Sequence, residues 1–318
     1  MRWWSSWLYL STLLLPLAAA GAVPQSPEAS EETQTPGCVL AGVGKGRTPW
    51  FLRLEQGMRQ AAEKYGCEVI YRAPTVPTVE AQQDIIIDFI TAKVDALLVV
   101  PSDPDALSRL FKHARMQNKV VVTLESPEQT EADYDVEMIV NRHFGEQLMD
   151  EMVRQSSAES GRYAILRGTR SAPSQLAWQQ AAVKRQQELY PGWTLVETEP
   201  VGEDRSQAAQ RTIELLKSYP DLRGLICIGS ESSVGAARAL REQRRQGVVA
   251  AIGTCTPQTC RSELKSGALR RLLTWDPAQA ARVQVELAMR HIQQGPLLNE
   301  TMLEISGMTP CKREGHTF

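Results

Sequence analysis

Residues 95–127, DALLVVPSDPDALSRLFKHARMQNKVVVTLESP, contain the unit that decides the fold. Two short apolar runs, ALLVV and KVVVTL, flank an amphipathic stretch that begins at Pro104. Continuous apolar runs of this length are typical of strands that are buried on both faces, and the stretch between them has helical periodicity. A strand, a helix and a second strand in this order predict two parallel strands with a helix packed on the sheet.

The same alternation extends in both directions from this unit. Upstream, the strand CVLAGVG begins at Cys38 and is followed by the helix WFLRLEQGMRQAAEKYG, with Gly66 as its stop signal. The rhythm restarts at residue 141 and continues to residue 295 with further strand and helix segments. The sequence therefore predicts an α/β protein with two doubly wound parallel-sheet lobes.

The N-terminus is typical of an export signal. Residues 1–22 combine a basic residue, a short apolar run and the small residues Ala20-Gly21-Ala22, which predicts a cleavable signal peptide and an exported protein. An uncleaved membrane anchor is the alternative. Residues 23–37 are rich in Pro, Ser, Thr and Glu, and we expect a disordered lead-in.

Composition and loop spacing argue against nucleotide and nucleic-acid binding. The net charge of −2 gives no electrostatic footprint for a nucleic acid. The glycines around Lys45 resemble a phosphate-binding loop. However, Gly46 stands where the motif requires Ser or Thr after the lysine, and Val39 stands where it requires the first glycine. Arg47 likewise replaces the third glycine of a dinucleotide fingerprint.

No enzyme apparatus is visible in the residue pattern. A G-x-S-x-G elbow is missing, and His113, His143 and His291 fall within predicted helices. Glu125 and Asp276 could form an acid/base pair, which leaves an exported hydrolase as a minor alternative, but a ligand-binding or hinge role is favoured. We expect no catalytic residues, no metal and no cofactor.

The six cysteines of an exported chain indicate disulfides. Cys38 and Cys67 each open a strand of one β-α-β unit, so adjacent parallel strands could bring them together. Cys255 and Cys260 flank TPQT and could close a small loop, whereas Cys227 lies in the apolar strand GLICIG and is predicted to be a buried free thiol.

The candidate ligand residues all follow predicted strands, where open α/β sheets bind ligands. Their segments resemble the periplasmic sugar-binding proteins of the ribose-binding type, and most closely the branch that binds rhamnose or autoinducer-2. The resemblance covers about residues 38–310, and the segments that carry it are TPWFLRLEQGMRQAAEKYG, VDALLVVPSDPDAL, VVVTLES, SQLAWQQAA, YPDLRGLICIGSESSVGAARAL and LTWDPAQAA.

The resemblance implies two lobes that are joined by a multi-strand hinge and close around a small polyhydroxylated ligand. The implied N-terminal lobe comprises residues 38–125 and 277–300, and the C-terminal lobe comprises residues 126–276 and 301–318. The resemblance further implies a periplasmic monomer that delivers its ligand to an ABC permease. Alternatively, the monomer binds a membrane sensor kinase or receptor.

The resemblance also implies roles for individual residues. Trp50 and Phe51 match aromatics that stack on the sugar ring, although one of them could be plain packing. Lys45 lies near a lysine of the autoinducer-2 branch, in a loop one residue shorter. Glu125 keeps the carboxylate of the family aspartate with one more methylene, and Cys255 replaces an aspartate that holds two hydroxyls in many sugar binders.

The remaining implied contacts come from the second lobe and the crossing between lobes. Glu231 could instead cap the following helix, and the pair after LLT could serve as hinge, ligand contact or both. The residues concerned are Ser174, Gln175, Ser230, Glu231, Trp275 and Asp276.

Overall fold

The computed structural model describes residues 37–127, 129–299, 301–305, 308, 311–314 and 317–318. The predicted signal peptide and all but the last residue of the predicted lead-in lie outside these residues. Within them, no helix has both the length and the apolar character needed to cross a membrane.

The chain alternates strands and helices as the sequence predicts. The strands are β1 Cys38–Val43, β2 Cys67–Arg72, β3 Ala96–Val99, β4 Val120–Leu124, β5 Tyr134–Val136, β6 Gly161–Arg167, β7 Trp193–Pro200, β8 Leu222–Ile228, β9 Ala250–Thr254, β10 Leu272–Leu273, β11 Met302–Leu303 and β12 Cys311–Lys312. The helices are α1 Pro49–Glu63, α2 Val79–Thr91, α3 Pro104–Met116, α4 Asn141–Ser156, α5 Pro173–Leu189, α6 Arg205–Ser218, α7 Ser230–Glu242, α8 Arg261–Ser266 and α9 Pro277–Gln294.

Two five-stranded parallel sheets form the centres of the two lobes. The first has the order β2-β1-β3-β4-β5 and the second the order β10-β9-β8-β6-β7. The strand order reverses between β1 and β3 and between β6 and β8, which are the points where open α/β sheets bind ligands. The predicted fold class is confirmed.

Local sequence signals set where the helices begin. The side chain of Asp103 accepts a hydrogen bond from the Ala106 amide at 3.1 Å, and Pro104 occupies the first turn of α3. Asp204 caps α6 in the same way through the amides of Ser206 and Gln207. Such caps satisfy backbone donors that would otherwise have no partner, so these helices start directly after the loops that end the strands.

Helix α9 returns the chain to the first lobe after the second lobe is complete. Gln284 of α9 donates to the Val122 carbonyl of β4 at 3.2 Å, and Val283 and Leu287 are buried against the first sheet. Gly57 of α1 allows close approach of α9, since a Cβ at this position would lie 2.6 Å from the Ala278 carbonyl oxygen. The chain thus crosses between the sheets at residues 137–140 and again at 274–276.

The C-terminal segment packs with the first sheet. The Phe318 amide donates to the Asp135 carbonyl at 2.8 Å, and the Phe318 ring is buried in the core of the first lobe. The lobe boundaries drawn from the resemblance remain a prediction, and these contacts favour adding residues 134–136 and 317–318 to the first lobe.

Two disulfides link neighbouring segments. Cys38 and Cys67 face each other in the β1–β2 register with their Cα atoms 4.6 Å apart, and Cys255 is joined to Cys260. These are the two pairings that the sequence analysis considered. Cys227 in β8 is a buried free thiol, and burial raises its pKa.

Candidate functional site

A cavity lies between the two lobes, where the carboxyl ends of both sheets face each other. The first lobe contributes Lys45, Thr48, Trp50, Phe51 and Glu125; the second contributes Gln175, Trp178, Glu203, Gly229, Ser230, Thr254 and Cys255; the crossing segment contributes Thr274 and Trp275. Its volume is about 50 Å³. Ligand pockets usually hold about 300–1,000 Å³, so this cavity is small for a ligand site.

Seven of the ten ligand residues expected from the sequence line this cavity, and they come from both lobes. They are Lys45, Trp50, Phe51, Glu125, Gln175, Ser230 and Trp275.

The other three expected residues have partners outside the cavity lining. Ser174 donates to Glu137 at 2.8 Å, and Glu231 pairs with Arg205 at 3.0 Å. Asp276 caps α9 through the Ala278 amide and pairs with Arg53 at 2.7 Å. All three residues lie at the beginnings of helices α5, α7 and α9, and the partners named here are not part of the cavity lining.

Helix α1 positions the aromatic pair of the first lobe. Because Pro49 starts the helix directly after the β1 loop, the first turn brings Trp50 and Phe51 to the cavity. Their ring centroids lie 5.0 Å apart in an edge-to-face arrangement. Phe51 is buried in the core of the first lobe and Trp50 is half-buried, so Trp50 has the ring surface available to a ligand.

A second aromatic group lies at the crossing between lobes. The Trp275 ring packs against Trp178 of α5 and Phe144 of α4, with centroids 5.3 and 5.5 Å away. Trp178 Nε1 donates to Asn141 Oδ1 at 2.6 Å, whereas the buried Trp275 Nε1 has no hydrogen-bond partner in the described part of the chain. Sequence reasoning missed Trp178 as a cavity residue because it lies one turn inside a helix rather than directly after a strand.

Lys45 and Glu125 form a buried ion pair across the first lobe. Lys45 Nζ lies 3.7 Å from Glu125 Oε2, and the two residues are 3% and 9% exposed. Burial raises the pKa of Glu125, while the positive charge of Lys45 opposes this rise. The loop that resembled a phosphate cradle therefore places its lysine against a carboxylate.

Glu203 is a second cavity carboxylate, and sequence reasoning missed it. It follows β7 after Gly202, in a turn where its own φ is 56°. Glu203 Oε1 accepts a hydrogen bond from Gln175 Nε2 at 3.2 Å, and burial raises the Glu203 pKa. Glu203 could have been found from the sequence, because it follows a predicted strand as the other candidate ligand residues do.

Two further carboxyl groups are buried behind Glu125. Asp135 Oδ1 accepts hydrogen bonds from Thr123 Oγ1 at 2.7 Å and from the Ser126 amide at 3.0 Å. Burial raises the pKa of Asp135 to about 7, and burial also raises the pKa of Glu137. The wall of the cavity on this side is therefore rich in acidic groups that are costly to ionise.

The arrangement provides contacts for a small polar ligand. Aromatic faces lie beside carboxylate, amide and hydroxyl groups, which is the usual composition of a site for a small molecule with several hydroxyls. Cys255 lines the cavity as half of a disulfide, so it does not serve as the carboxylate acceptor found there in many sugar binders. Among the described residues, no cluster of three or more His, Cys, Asp or Glu side chains could hold a metal ion.

Comparisons with known proteins agree on one kind of protein. A family model described as a periplasmic binding protein domain matches residues 41–296. The ribose import binding protein RbsB of Salmonella typhimurium is 23% identical over 241 residues, which cover 76% of this chain and 79% of the relative. RbsB of Escherichia coli K12 is 22% identical over 268 residues, with coverage of 84% and 88%.

Solved structures show the same fold. LsrB from Clostridium saccharobutylicum in complex with AI-2 gives a TM-score of 0.81 at 18% identity, covering 86% of this chain and 88% of that chain. An ABC transporter solute-binding protein from Clostridium phytofermentas with bound L-rhamnose gives a TM-score of 0.78 at 20% identity, covering 85% of this chain and 86% of that chain.

Proposed function

The chain belongs to the periplasmic binding protein domain family, and we propose that its two lobes close around a small sugar-like ligand. Its named relatives are sugar-binding transport proteins and not enzymes. The observation that carries the proposal is the cavity itself, to which both lobes contribute aromatic and polar side chains.

The chemistry of the cavity supports a polyhydroxylated ligand. The face of Trp50 suits the apolar C–H patch of a sugar ring, which stacks on aromatics without any charge. Gln175, Ser230 and Thr254 offer hydroxyl and amide groups. The carboxylates of Glu125 and Glu203 are strong acceptors for sugar hydroxyls. Contacts from both lobes are complete only when the lobes are together.

Binding is therefore coupled to lobe closure. A ligand that touches both lobes shifts the equilibrium between open and closed forms by its preference for the closed one. Ser171 of the second lobe donates to the Ser102 carbonyl of the first lobe at 3.1 Å, a contact that opening would break. We place the hinge in the two crossing segments, residues 137–140 and 274–276.

The partner of the closed form is a membrane protein in this proposal. Delivery to a membrane-embedded ABC permease is the first candidate, because the curated relatives are named as import binding proteins. A membrane sensor kinase or receptor is the second, and it is favoured by the altered ligand positions Glu125 and Cys255. Transport of a radiolabelled ligand into vesicles that contain the permease would separate the two.

Calorimetry and thermal melting against a sugar panel test the proposal. Pentoses, hexoses, deoxyhexoses and AI-2 are added at saturating concentration to the mature chain. A ligand present at 100 times its Kd stabilises the folded state by about 2.7 kcal/mol, which gives a clear rise in Tm. Absence of any heat of binding and of any rise in Tm across the panel would refute a saccharide ligand.

A further inference from the structure

The cavity has more acidic than basic side chains. Glu125 and Glu203 both line it, and Lys45 is its one basic lining residue in the described part of the chain. Lys45 Nζ lies 3.7 Å from Glu125 Oε2 and pairs with that carboxylate, while its charge also acts on Glu203. When both carboxyl groups are ionised, the lining has an excess of one negative charge.

No described residue lies within ion-pair distance of Glu203, although the positive charge of Lys45 lowers the pKa of both Glu203 and Glu125. Its Oε1 accepts from the neutral amide of Gln175 at 3.2 Å. Arg205 is engaged by Glu231 at 3.0 Å, outside the cavity lining. Arg167 donates to two backbone carbonyls of its own loop. Glu203 is thus the carboxylate whose charge a ligand would meet.

The backbone holds both carboxylates in place at a conformational cost. Glu125 has φ 62° and Glu203 has φ 56°, in the left-handed region that residues other than glycine, asparagine and aspartate rarely adopt. Such strained residues persist where the surrounding structure requires them, and they cluster at ligand-binding sites. Two independent loops, one from each lobe, therefore aim an acidic side chain into the same cavity.

The aromatic walls suit a cation as well as a sugar ring. Trp50, Trp178 and Trp275 all line the cavity. The electron-rich face of an indole attracts an ammonium group, and this attraction is larger where water is excluded. Carboxylates set among tryptophans are a typical environment for an organic cation.

Further acidic groups stand behind the first lobe's wall. Asp135 and Glu137 are close enough to Glu125 that its charge raises the pKa of both, and Asp135 also raises the pKa of Glu137. Burial is the larger cause of each rise. A positive ligand charge nearby would favour ionisation of the cavity carboxylates, whereas a neutral ligand would leave their burial uncompensated.

We infer that the ligand is a protonated amino sugar, a polyhydroxylated primary amine, whose ammonium group binds Glu203. This rests on the proposed function, since the ring of the ligand would stack on Trp50 as any sugar would. The ammonium has three donors and no acceptor, so it matches a carboxylate, and it would add the second positive charge that Lys45 alone cannot supply to two carboxylates. Its hydroxyls would take other polar groups of the cavity lining, such as Ser230 and Thr254.

Matched sugar pairs test the inference by calorimetry at pH 7.5. The pairs are glucosamine with glucose, galactosamine with galactose and mannosamine with mannose, and N-acetylglucosamine serves as a ligand that has lost the charge. We expect the amine of at least one pair to bind about tenfold more tightly than its neutral partner, which corresponds to about 1.4 kcal/mol. N-acetylglucosamine should bind at least as weakly as glucose.

The Glu203→Gln variant locates the effect. It keeps the shape of the side chain but removes its charge, so the preference for the amine should fall below about threefold. Glu199→Gln is the matched control, because Glu199 lies on β7, the strand that precedes Glu203, and pairs with Arg211 at 2.7 Å outside the cavity lining. It should keep the full preference. If Glu203→Gln does not fold, the wild-type ratio between glucosamine and N-acetylglucosamine still tests the need for the charge, and a crystal structure with the bound amine shows whether its nitrogen contacts Glu203.

The outcomes separate the two proposals. Equal or tighter binding of the neutral sugars would overturn the amino-sugar inference and leave the proposed function standing. An amine preference that survives Glu203→Gln would overturn the assignment to Glu203. Failure of every amine and every neutral sugar to bind would overturn the proposed function together with the inference.

Discussion

At the scale of single residues, Trp50 and Phe51 show how far adjacent positions can differ. Both follow β1 and both were expected to stack on a ligand. The structure buries Phe51 in the lobe core and leaves Trp50 half-buried at the cavity, because consecutive helical residues point about 100° apart. The sequence predicted that one of the pair could be packing but could not say which, since that depends on how α1 is rotated against the sheet.

Trp50→Ala should weaken sugar binding with little effect on folding. Loss of the stacking face is expected to raise Kd by at least about tenfold, equivalent to about 1.4 kcal/mol. The half-buried position predicts a small change in Tm. Calorimetry and thermal melting check both, with Leu52→Ala as the control, because Leu52 lies two positions after Trp50 in α1 and is exposed. Unfolding of the Trp50 variant would show that the residue is structural.

Asp135 makes stability depend on pH. Its folded-state pKa, about 7, exceeds the ordinary value of 3.8, mainly because of burial and partly because of Glu125. The folded state therefore binds the proton more tightly than the unfolded state, and the stability that protonation gives is lost as pH rises between about 4 and 7.

Asp135→Asn should flatten this pH dependence. The amide oxygen can still accept from Thr123 and Ser126, and the variant carries no charge to bury. Its Tm should fall less than that of the wild type between pH 5 and pH 8. The exposed Asp88→Asn is the control and should follow the wild type. An equal fall in wild type and Asp135→Asn would contradict a buried titrating carboxyl at this position.

At the scale of elements, the strength of local signals decided what could be predicted. Helix α4 was predicted over the residues it occupies, 141–156, because its apolar periodicity runs through four turns. Strand β5, three residues long, and helix α8, six residues long, were missed because so few residues define no period. The pairing of β5 with β4 depends on contacts remote in sequence, so local patterns could not place it in the first sheet.

Gly57→Ala should destabilise the contact between α1 and α9. In an isolated helix alanine is better than glycine by about 1 kcal/mol, so the variant would be expected to gain stability. Here the added Cβ would lie 2.5 Å from Ala278 Cα, and such overpacking costs about 1–3 kcal/mol. A fall in Tm checks the prediction.

The exposed Gln60→Ala on the same helix is the matched control for this contact. It should leave Tm within about a degree or raise it, because it changes helix propensity alone. A rise in Tm for Gly57→Ala would mean that α9 does not pack on α1 as closely as described.

At the scale of the whole molecule, the cavity depends on the position of one lobe relative to the other, because both lobes contribute residues to its lining. The sequence predicted two lobes and the strand-end position of the site, because both follow from alternation and from the general rule for open sheets. It could not predict Trp178 or the Lys45–Glu125 pair, because these contacts form only when α5 and two loops of the first lobe meet. These parts of the cavity are thus formed only by the folded chain.

The central claim is that one small polyhydroxylated ligand binds between the lobes and contacts both. A crystal structure of the mature protein with the tightest ligand from the sugar panel tests it most directly. The account predicts ligand density that stacks on Trp50 and reaches Glu203 of the opposite lobe. Density that touches one lobe alone, or that lies outside this cavity, would contradict it.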